Sequence, residues 1–407
     1  MSKITVIDDI MGSGKTSWAL QMMTELPAKS NIMFVTPFLN EVDRIKNECI
    51  KHFIDPIPDK GLGKKTEHIK KLIKNGENIA TTHALFKKFD TETIQLIKEN
   101  NYILILDEVI DVVKPENITE DDLQILFDHN LIKTENNRLI WLETSYRGRY
   151  EKYKEIIQGN SSYVLNRNKI IWTLPPKVFE AFKETFILTY YFEGQYLKNY
   201  FDLYNMSYKK KSIQSFDFGY YTKYELIDYR KPDLSQIAKL ITVYEGKHND
   251  VVKTNGNLGR DNLTFTQLSK MEKGSKEAKA IKNATVNVVR TEWKAKSGDV
   301  IWTTSKGAKE ALKGQGYARS YTSFNLRATN DYRERKHCCY LLNKFPNLDV
   351  FKFFEKQELI VNSDLNSLSD MIQWIFRSAI REGNPIKVYI PSDRMRNLLY
   401  DWLKGEI

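Results

Sequence analysis

Two glycines, a lysine and a threonine near the start of the chain have the types and spacing that bind phosphate. They lie in the segment Met11-Gly12-Ser13-Gly14-Lys15-Thr16, directly behind the apolar run 4–7. The glycines let the backbone turn tightly and direct several N–H groups at one point, Lys15 adds a positive charge, and Thr16 can ligate Mg²⁺. Apolar residues at helical spacing follow, so the segment predicts a strand, a loop and a helix whose N-terminus faces a nucleotide triphosphate.

One position departs from the longer form of this phosphate-binding pattern. That form has a glycine five positions before Gly14, where this chain has Asp9. The shorter core Gly-x-Gly-Lys-Thr is intact. In a strand-loop-helix context, this core favours a nucleotide site over a glycine turn that binds nothing.

A pair of carboxylates, Asp107 and Glu108, ends the apolar run 102–106. Such a run is typical of a central parallel strand, and ligands of parallel sheets bind at the carboxyl ends of the strands. Asp107 can therefore hold Mg²⁺ while Glu108 polarises an attacking water. An Asp-Glu pair is also a common helix cap. Together with the phosphate loop upstream, it predicts hydrolysis of the bound nucleotide.

A third set of polar residues recurs every four positions near the C-terminus. We predict a helix that is capped near Ser363 or Ser367 and buries an apolar face. Gln373, Arg377 and Arg381 would form one line on its other face, and a guanidinium from this line could bind a γ-phosphate. The alternative is a solvated helix face with salt bridges. The spacing alone does not decide between the two arginines.

The elements around these residues predict an α/β protein. Further apolar runs at 31–37, 186–192, 300–305 and 387–390 predict strands, and most are followed by residues at helical spacing. The region 112–183 has a mixed pattern that we interpret as mostly helical, without residues that suggest chemistry. The polar, basic segment 208–212 predicts the boundary of the first domain, because domain edges fall in exposed stretches.

Composition limits the class of protein. The chain has 407 residues, of which 41% are hydrophobic and 12% aromatic, which predicts two globular domains. No run approaches the ~18 apolar residues of a membrane span, and a strand begins at once, so we expect a soluble, intracellular protein. Three cysteines, Cys49, Cys338 and Cys339, are too few for a disulfide framework or a zinc site and predict buried, reduced thiols.

The net charge of +10 is concentrated in one region. Residues 246–345 hold 20 Lys and Arg against 9 Asp and Glu, whereas the rest of the chain holds 42 against 43. A localised basic region favours a partner with a phosphate backbone. The alternative is a solvated surface, because five lysines between 270 and 282 recur every three residues and would wind around a helix.

Taken together, these segments resemble superfamily 2 (DEAD/DEAH-like) helicases, and most closely the compact versions that bacteriophages encode. In the first half, the family's motifs are resembled by Gly12 to Thr16, Thr36-Pro37, Thr82 to Leu85, Asp107 to Ile110 and, more distantly, Thr189-Tyr190. In the second half, they are resembled by Trp302 to Ser305, Arg327 to Asp331 and Gln373 to Arg381. Val109 and Ile110 replace the last two residues of the DEAD/DEAH box, and Phe376 replaces the glycine of the last motif.

The resemblance implies two RecA-like domains of the P-loop NTPase fold with parallel sheets in tandem, at 1–205, with the insertion 112–183, and at 206–407. It implies an ATP-dependent helicase with ATP in the cleft between the domains and nucleic acid across both, DNA being expected first. ATP and Mg²⁺ would be bound by Met11, Gly12, Ser13, Gly14, Lys15, Thr16 and Asp107. Catalysis would use Lys15, Glu108, Gln373, Arg377 and Arg381, and strand contacts would come from Thr36, Thr82, His83, Thr304 and Asn330.

The resemblance further implies action on single-stranded or forked strands during phage replication or recombination in the host cytoplasm, alongside replication proteins. Two other classes remain open. A viral packaging motor of the terminase type would add a nuclease domain with several carboxylates on metal, and the second half lacks such acidic strand ends. A non-catalytic nucleic-acid binder could keep a relic nucleotide site. Taken alone, His83 is better explained as a hydrogen-bonded structural histidine than as a catalytic one.

Overall fold

The computed structural model describes residues 3–58, 64–159, 161–166, 168–252, 261–324 and 332–407. The strands are β1 (Lys3–Asp8), β2 (Ile32–Thr36), β3 (Ile79–Thr82), β4 (Ile103–Asp107), β5 (Val113–Asn117), β6 (Ile132–Glu135), β7 (Arg138–Trp141), β8 (Ser161–Leu165), β9 (Lys169–Thr173), β10 (Glu184–Thr189), β11 (Tyr208–Asp217), β12 (Thr222–Asp228), β13 (Ile241–Val243), β14 (Val300–Thr303), β15 (His337–Tyr340) and β16 (Ile386–Tyr389).

The helices are α1 (Lys15–Glu25), α2 (Leu39–Glu48), α3 (Lys65–Lys74), α4 (His83–Phe86), α5 (Thr91–Glu99), α6 (Glu120–Asp128), α7 (Glu151–Gly159), α8 (Lys177–Glu180), α9 (Tyr196–Leu203), α10 (Ser235–Leu240), α11 (Phe265–Ser269), α12 (Lys276–Asn287), α13 (Lys309–Leu312), α14 (Leu348–Lys356), α15 (Ser363–Ile375) and α16 (Asp393–Leu403). None of these helices is long and apolar enough to cross a membrane. The chain divides into two compact units, Met1–Arg230 with Asn347–Val361, and Lys231–Pro346 with Asn362–Ile407.

The main sheet of the first unit has the order β12-β11-β1-β10-β4-β2-β3. Its strands from β11 to β3 are parallel, and β12 pairs antiparallel to β11 at the edge. Every residue of β2 is buried, as expected for a strand covered on both faces. Because β1, β10 and β4 are neighbours, the segments that follow β1 and β4 leave the sheet at the same edge.

A second sheet in this unit lies within the region that we predicted to be mostly helical, and this prediction was wrong. It is antiparallel, with the order β5-β9-β8-β7-β6, and the same region also contains helices α6, α7 and α8. Asn136 and Asn137 both have positive φ and form the two-residue turn between β6 and β7. Such Asn-rich turns match the twist of a hairpin, so the polar pair connects strands rather than interrupting a helix.

The first unit also extends beyond the predicted boundary. The segment that we interpreted as a domain edge is the start of β11, which pairs parallel with β1, so the unit continues to Arg230 rather than ending at residue 205. A later segment, Asn347–Val361, returns to this unit because Val350, Phe353 and Phe354 of α14 pack in a core with strands β5, β8 and β9. The predicted 206–407 is therefore divided between the two units.

The second unit has its own parallel sheet, with the order β13-β16-β15-β14. The predicted strands at 300–305 and 387–390 correspond to β14 and β16 of this sheet, and the predicted α/β class with parallel sheets in tandem is confirmed. Cys338 and Cys339 lie fully buried in β15, and Cys49 is buried in the first unit. All three thiols are free, and burial raises the pKa of Cys338 to about 12.

Candidate functional site

The phosphate-binding segment forms a tight loop between β1 and α1. Gly12 and Gly14 have φ of 86° and 90°, in the left-handed region that favours glycine, and Gly14 caps the start of α1. A Cβ on Gly14 would lie 2.2 Å from the ring of Tyr224, so no larger residue fits there without a shift of that ring. The loop therefore has the conformation in which backbone N–H groups and a helix N-terminus converge.

Two polar side chains of this loop bear on ligand binding. The Lys15 ammonium group donates to the backbone carbonyls of Asp9 and Ile10, the latter at 2.7 Å, so it folds back over the loop. The Ser13 hydroxyl is buried and has no hydrogen-bond partner among the described residues. A buried polar atom without a partner is costly unless a ligand completes it, so the loop fits an oxygen-rich group such as phosphate.

Asp9, the residue that departs from the longer phosphate-loop pattern, has a structural role. Its carboxylate accepts hydrogen bonds from the backbone N–H of Ile213 in β11, at 2.8 Å, and of Ile10, at 2.7 Å. The preceding Asp8 lies 3.3 Å from the Lys210 ammonium group. Burial raises the pKa of Asp8 above its usual range, although Lys210 lowers it. The sequence interpretation missed both contacts because their partners lie about 200 residues away.

The carboxylate pair lies at the end of β4. Burial raises the pKa of Asp107 to about 7, helped by the charges of Glu108 and Glu41 and opposed by those of Lys15 and Arg44. The phosphate loop and the end of β4 thus lie close enough for Lys15 and Asp107 to interact. An aspartate in such a negative environment fits a divalent cation, which would stabilise its ionised form.

Glu108 has an unusual backbone and an unsatisfied side chain. Its φ is 60°, outside the range that a glutamate normally adopts, and its N–H donates to the carbonyl of Leu188 in β10 at 3.0 Å. Its Oε2 is buried, and no described residue hydrogen-bonds to it. Backbone strain together with an unsatisfied carboxylate oxygen is typical of functional positions. The geometry is suited to hold a polar ligand such as water beside the loop.

Three of the predicted nucleic-acid contacts lie at the same edge of the first sheet. Thr36 and Thr82 end β2 and β3 as a register pair, and His83 begins α4. The His83 Nε2 lies 3.0 Å from the carbonyl oxygen of Asp107, which ties α4 to the carboxylate pair. Thr36 is fully buried, so its side chain offers no surface to a strand in this conformation. Thr82 is partly exposed.

The predicted line of Gln373, Arg377 and Arg381 along one helix is wrong. Helix α15 starts at Ser363 with Asn362 as its cap and ends at Ile375, and Arg381 lies in a separate 3₁₀ turn, Ala379–Glu382. The helix ends there because both the N–H and the hydroxyl of Ser378 donate to the carbonyl of Ile375. Ser378 itself has an extended backbone conformation, so the chain leaves the helix axis before Arg381.

The three side chains consequently have different environments. Arg377 is buried, whereas Arg381 is exposed. Gln373 is partly buried and donates to the hydroxyl of Ser369 at 3.2 Å. The apolar face of α15 is buried as predicted, including Leu368, Met371 and Ile372.

The remaining predicted contacts belong to the second half of the chain. Thr304 directly follows β14, where it is fully buried and its hydroxyl has no hydrogen-bond partner in the part of the chain that the structure describes. Asn330, with the rest of the motif-like segment 327–331, lies outside the described residues.

The hairpin of β11 and β12 contributes residues to the site that the sequence interpretation missed. The Gln21 side-chain amide of α1 donates to the carbonyl of Tyr224 at 3.2 Å and accepts from its N–H at 2.9 Å. The Tyr224 ring packs on Gly14, as described above. A sequence signal for this hairpin exists, because Asp217 and Gly219 form a turn between two runs of β-forming residues.

Comparison with known proteins gives one relative across the whole chain. The chain is 36% identical over 419 residues to the SPbeta prophage-derived uncharacterized protein YonV of Bacillus subtilis (strain 168), covering 100% of both chains. Residues 113–172 match the family described as the YonV middle domain, and residues 235–403 match the one described as the YonV C-terminal Rossmann-like domain. The middle-domain match coincides with the antiparallel sheet of the first unit.

Among solved structures, the chain is similar at low identity to two helicases. An XPD helicase gives a TM-score of 0.46 at 11% identity, with 99% of this chain and 94% of that chain covered. The DUF1998 helicase MrfA bound to DNA and AMPPNP gives a TM-score of 0.35 at 11% identity, with 99% and 48% covered.

Proposed function

This chain belongs to the YonV family, and we propose that it is an ATP-dependent nucleic-acid motor of the helicase or translocase type. The observation that carries the proposal is the convergence of two structures at one sheet edge. The glycine loop with Lys15 follows β1, and the Asp107-Glu108 pair follows β4. Phosphate-binding backbone, a cation and paired carboxylates are the groups that nucleotide hydrolysis needs.

The residues present fit ATP with Mg²⁺. The backbone of residues 11–16 and the Lys15 ammonium group would bind the phosphates, with Lys15 exchanging its two carbonyl partners for phosphate oxygens. Thr16 and Asp107 would hold Mg²⁺, and Glu108 would orient the attacking water. Bound MgATP supplies the γ-phosphoryl group that passes to water. The unsatisfied atoms of Ser13 and Glu108 support this assignment because a ligand would complete both.

The proposed partner is single-stranded or forked nucleic acid, with DNA expected first. The charge surplus of residues 246–345 supports a polyanionic partner. Thr82, His83, Thr304 and Asn330 are the proposed strand contacts, and a role in replication or recombination follows only from the resemblance to phage helicases. Thr36, Thr304 and His83 fit less well than Thr82 because their side chains are buried.

The test is phosphate release by the purified full chain, measured with MgATP in the presence and absence of single-stranded DNA and of single-stranded RNA. We expect hydrolysis that single strands stimulate, followed by unwinding of a forked duplex. Strand binding without any hydrolysis would instead support the non-catalytic binder. Hydrolysis that only duplex DNA stimulates, without unwinding, would favour a packaging-type motor.

A further inference from the structure

The ends of β2 and β4 place a threonine beside the carboxylate of Asp107. The two strands are parallel neighbours, and their register pairs Val35 with Leu106. The next residues, Thr36 and Asp107, therefore lie side by side, with about 5 Å between the strands. Val35 and Leu106 both pack in the core on one face of the sheet. Because side chains alternate between the faces, Thr36 and Asp107 both point to the other face.

This other face is the one on which the helix of the phosphate loop packs. Phe34 and Ile105, two positions earlier on the same face, share one core with residues of α1 and α2. Helix α1 begins at Lys15, directly after the glycine loop. The Thr36 hydroxyl and the Asp107 carboxylate thus lie on the same side of the sheet as the start of α1.

The Thr36 hydroxyl is buried without a partner. The side chain is fully buried, and its oxygen has no hydrogen bond to any residue in the ranges that the structure describes. A buried hydroxyl in this condition destabilises a protein unless water or a ligand completes it. Since Asp107 is its neighbour on the same face, the hydroxyl marks a place for a polar ligand beside that carboxylate.

Helix α2 adds a carboxylate at the same place. Glu41 lies in the first turn of α2 and is 8% exposed. Helical side chains tilt towards the N-terminus of their helix, so that of Glu41 is directed back to the strand end from which α2 follows. Its charge is among those that raise the pKa of Asp107. The Arg44 guanidinium lies 3.4 Å from Glu41 but 2.9 Å from Glu48, so it offsets the Glu41 charge only in part.

A hydrated cation fits these groups better than a cation that protein ligands surround. Among the described residues, no three His, Cys, Asp or Glu side chains are arranged to hold a metal ion directly. Mg²⁺ in nucleotide sites is usually bound by one or two carboxylates and by phosphate, and it keeps several waters. Such waters donate to nearby oxygens, and residues that accept from them change metal affinity about 10- to 100-fold.

We propose that Thr36 and Glu41 are positioning residues of the cation site, where the Thr36 hydroxyl and the Glu41 carboxylate bind waters of the Mg²⁺ shell. Thr16 and Asp107 remain the residues that contact the ion, so the inference rests on the proposed function. It assigns Thr36 to the nucleotide site and not to the strand contacts. A threonine hydroxyl suits this role because it accepts from a water and donates to a carboxylate at the same time.

The experiment titrates Mg²⁺ into the full chain with a fluorescent ATP analogue and records the Mg²⁺ concentration at half-maximal binding. Thr36→Val removes the hydroxyl and should raise this concentration about tenfold, whereas Thr36→Ser keeps the hydroxyl and should stay near the wild-type value. Thr185→Val is the matched control. Thr185 is also fully buried with an unpartnered hydroxyl among the described residues, but it lies near the start of β10. Its substitution should leave the Mg²⁺ concentration unchanged.

Thermal unfolding separates positioning from a structural role. Without Mg²⁺ and nucleotide, both valine variants should unfold at or above the wild-type temperature, because each loses an unsatisfied buried hydroxyl. With Mg²⁺ and the analogue, the rise in unfolding temperature should be smaller for Thr36→Val than for Thr185→Val. A ligand-free Thr36→Val protein that unfolds well below the wild type would overturn the role of Thr36, since its hydroxyl would then stabilise the fold itself.

Glu41→Gln keeps the shape of the side chain without its charge, and it should also raise the Mg²⁺ concentration at half-maximal binding about tenfold. Glu48→Gln is its matched control on the same helix, because it too loses an ion pair with Arg44. This control should bind Mg²⁺ and the analogue as the wild type does. Equal changes in the two variants would overturn the role of Glu41 and assign the effect to Arg44.

Strand binding completes the test. Thr36→Val should bind a fluorescent single strand with wild-type affinity, measured by anisotropy. Weaker strand binding with a normal Mg²⁺ requirement would overturn the inference and return Thr36 to the strand contacts. A normal Mg²⁺ requirement in both Thr36→Val and Glu41→Gln would overturn the inference alone, since the wild type would still bind nucleotide. Failure of the wild-type protein to bind the analogue at any Mg²⁺ concentration would overturn the proposed function with it.

Discussion

The carboxyl ends of the two parallel sheets carry different chemistry. In the first unit, β1 and β4 are followed by glycines in the left-handed region, a lysine and two carboxylates, one of which has a strained backbone. In the second unit, β14 is followed by Thr304, and the hydroxyls of Thr303 and Thr304 are buried without partners among the residues described. The second sheet also carries a buried cation just after β15, but this Lys344 pairs with Asp370 at 2.6 Å. The unsatisfied carboxylate oxygen of Glu108 therefore distinguishes the first edge.

Function therefore depends on the residues at the ends of the strands and not on the architecture of the sheet. Fixed charges and strain in the first unit cost stability and persist where a ligand compensates for them. The buried hydroxyls of Thr303 and Thr304 in the second unit also lack hydrogen-bond partners among the described residues, but they are uncharged, so their burial costs less stability. We expect the first edge to carry hydrolysis and the second unit to contribute accessory groups.

The largest effect should come from the first edge. Lys15→Ala should abolish hydrolysis, a decrease of at least ~1000-fold, because the main cation for the β- and γ-phosphates is removed. Glu108→Gln should stop turnover but keep affinity for a fluorescent ATP analogue, since the amide preserves shape without accepting a proton. Phosphate release and analogue binding measure the two effects.

Lys29→Ala, which removes an exposed lysine just beyond α1, is the matched control and should hydrolyse ATP normally. Near-normal turnover in a folded Lys15→Ala or Glu108→Gln protein would refute the assignment of this edge as the catalytic one.

Substitution of the two arginines of the second unit should have smaller effects, and the two substitutions should change different properties. Arg381 is exposed, so Arg381→Ala should keep thermal stability and lower strand-stimulated hydrolysis by about 100-fold if its guanidinium serves the γ-phosphate. Arg377 is buried, so Arg377→Ala should instead lower the unfolding temperature. Hydrolysis assays and calorimetry of both variants sharpen the comparison.

Lys404→Ala, a change at another exposed cation of the same unit, should alter neither quantity. Normal hydrolysis by both arginine variants would leave the second unit without a part in the reaction.

Nucleic-acid affinity should depend on the basic region of the second unit to a lesser degree. Lys273→Glu/Lys276→Glu/Lys279→Glu should weaken single-strand binding and make the slope of log K against log salt shallower by ~0.7 for each phosphate group that the variant no longer neutralises. Anisotropy titrations between low and physiological salt measure this slope. An affinity that is indifferent to salt would contradict an electrostatic role for this region.

The smallest effect concerns stability and pH. The pKa of Asp107 is raised to about 7 in the folded protein, so folding favours its protonated form. This contribution is fully present below the unfolded pKa of ~3.9 and is lost as pH rises towards 7. Without Mg²⁺, Asp107→Asn should therefore unfold several degrees higher than the wild type at pH 8, and the difference should shrink near pH 5. A constant difference across this range would show that Asp107 is ionised throughout.

The parts of the fold that the sequence predicted well depend on local patterns. The strand, loop and helix from β1 to α1 lie within 25 consecutive residues. The apolar run of β4 is sufficient by itself to predict a central strand. The Lys15 and Glu108 assignments rest on these short patterns. They remain predictions until activity is measured.

The parts of the fold that the sequence did not predict depend on partners far away in the sequence or on the hydrogen bonds that end a helix. β11 is polar enough to resemble a linker, and it becomes a strand because β1 offers it a hydrogen-bonding edge. The short strands of the antiparallel sheet gain stability from one another and carry weak individual patterns. Helix α15 ends at Ile375 because of hydrogen bonds from Ser378, a feature that apolar periodicity does not encode.

The position of β1 has a consequence for the order in which the chain can fold. Its two neighbours in the sheet, β10 and β11, follow it by about 180 and 200 residues, and no earlier strand pairs with it among the described residues. During synthesis, β1 must wait for these partners, and at ~5–20 residues per second this takes on the order of 10 to 40 seconds. The strand that precedes the glycine loop therefore gains its sheet neighbours only after most of the first unit has been made, and we expect nucleotide binding to follow that pairing.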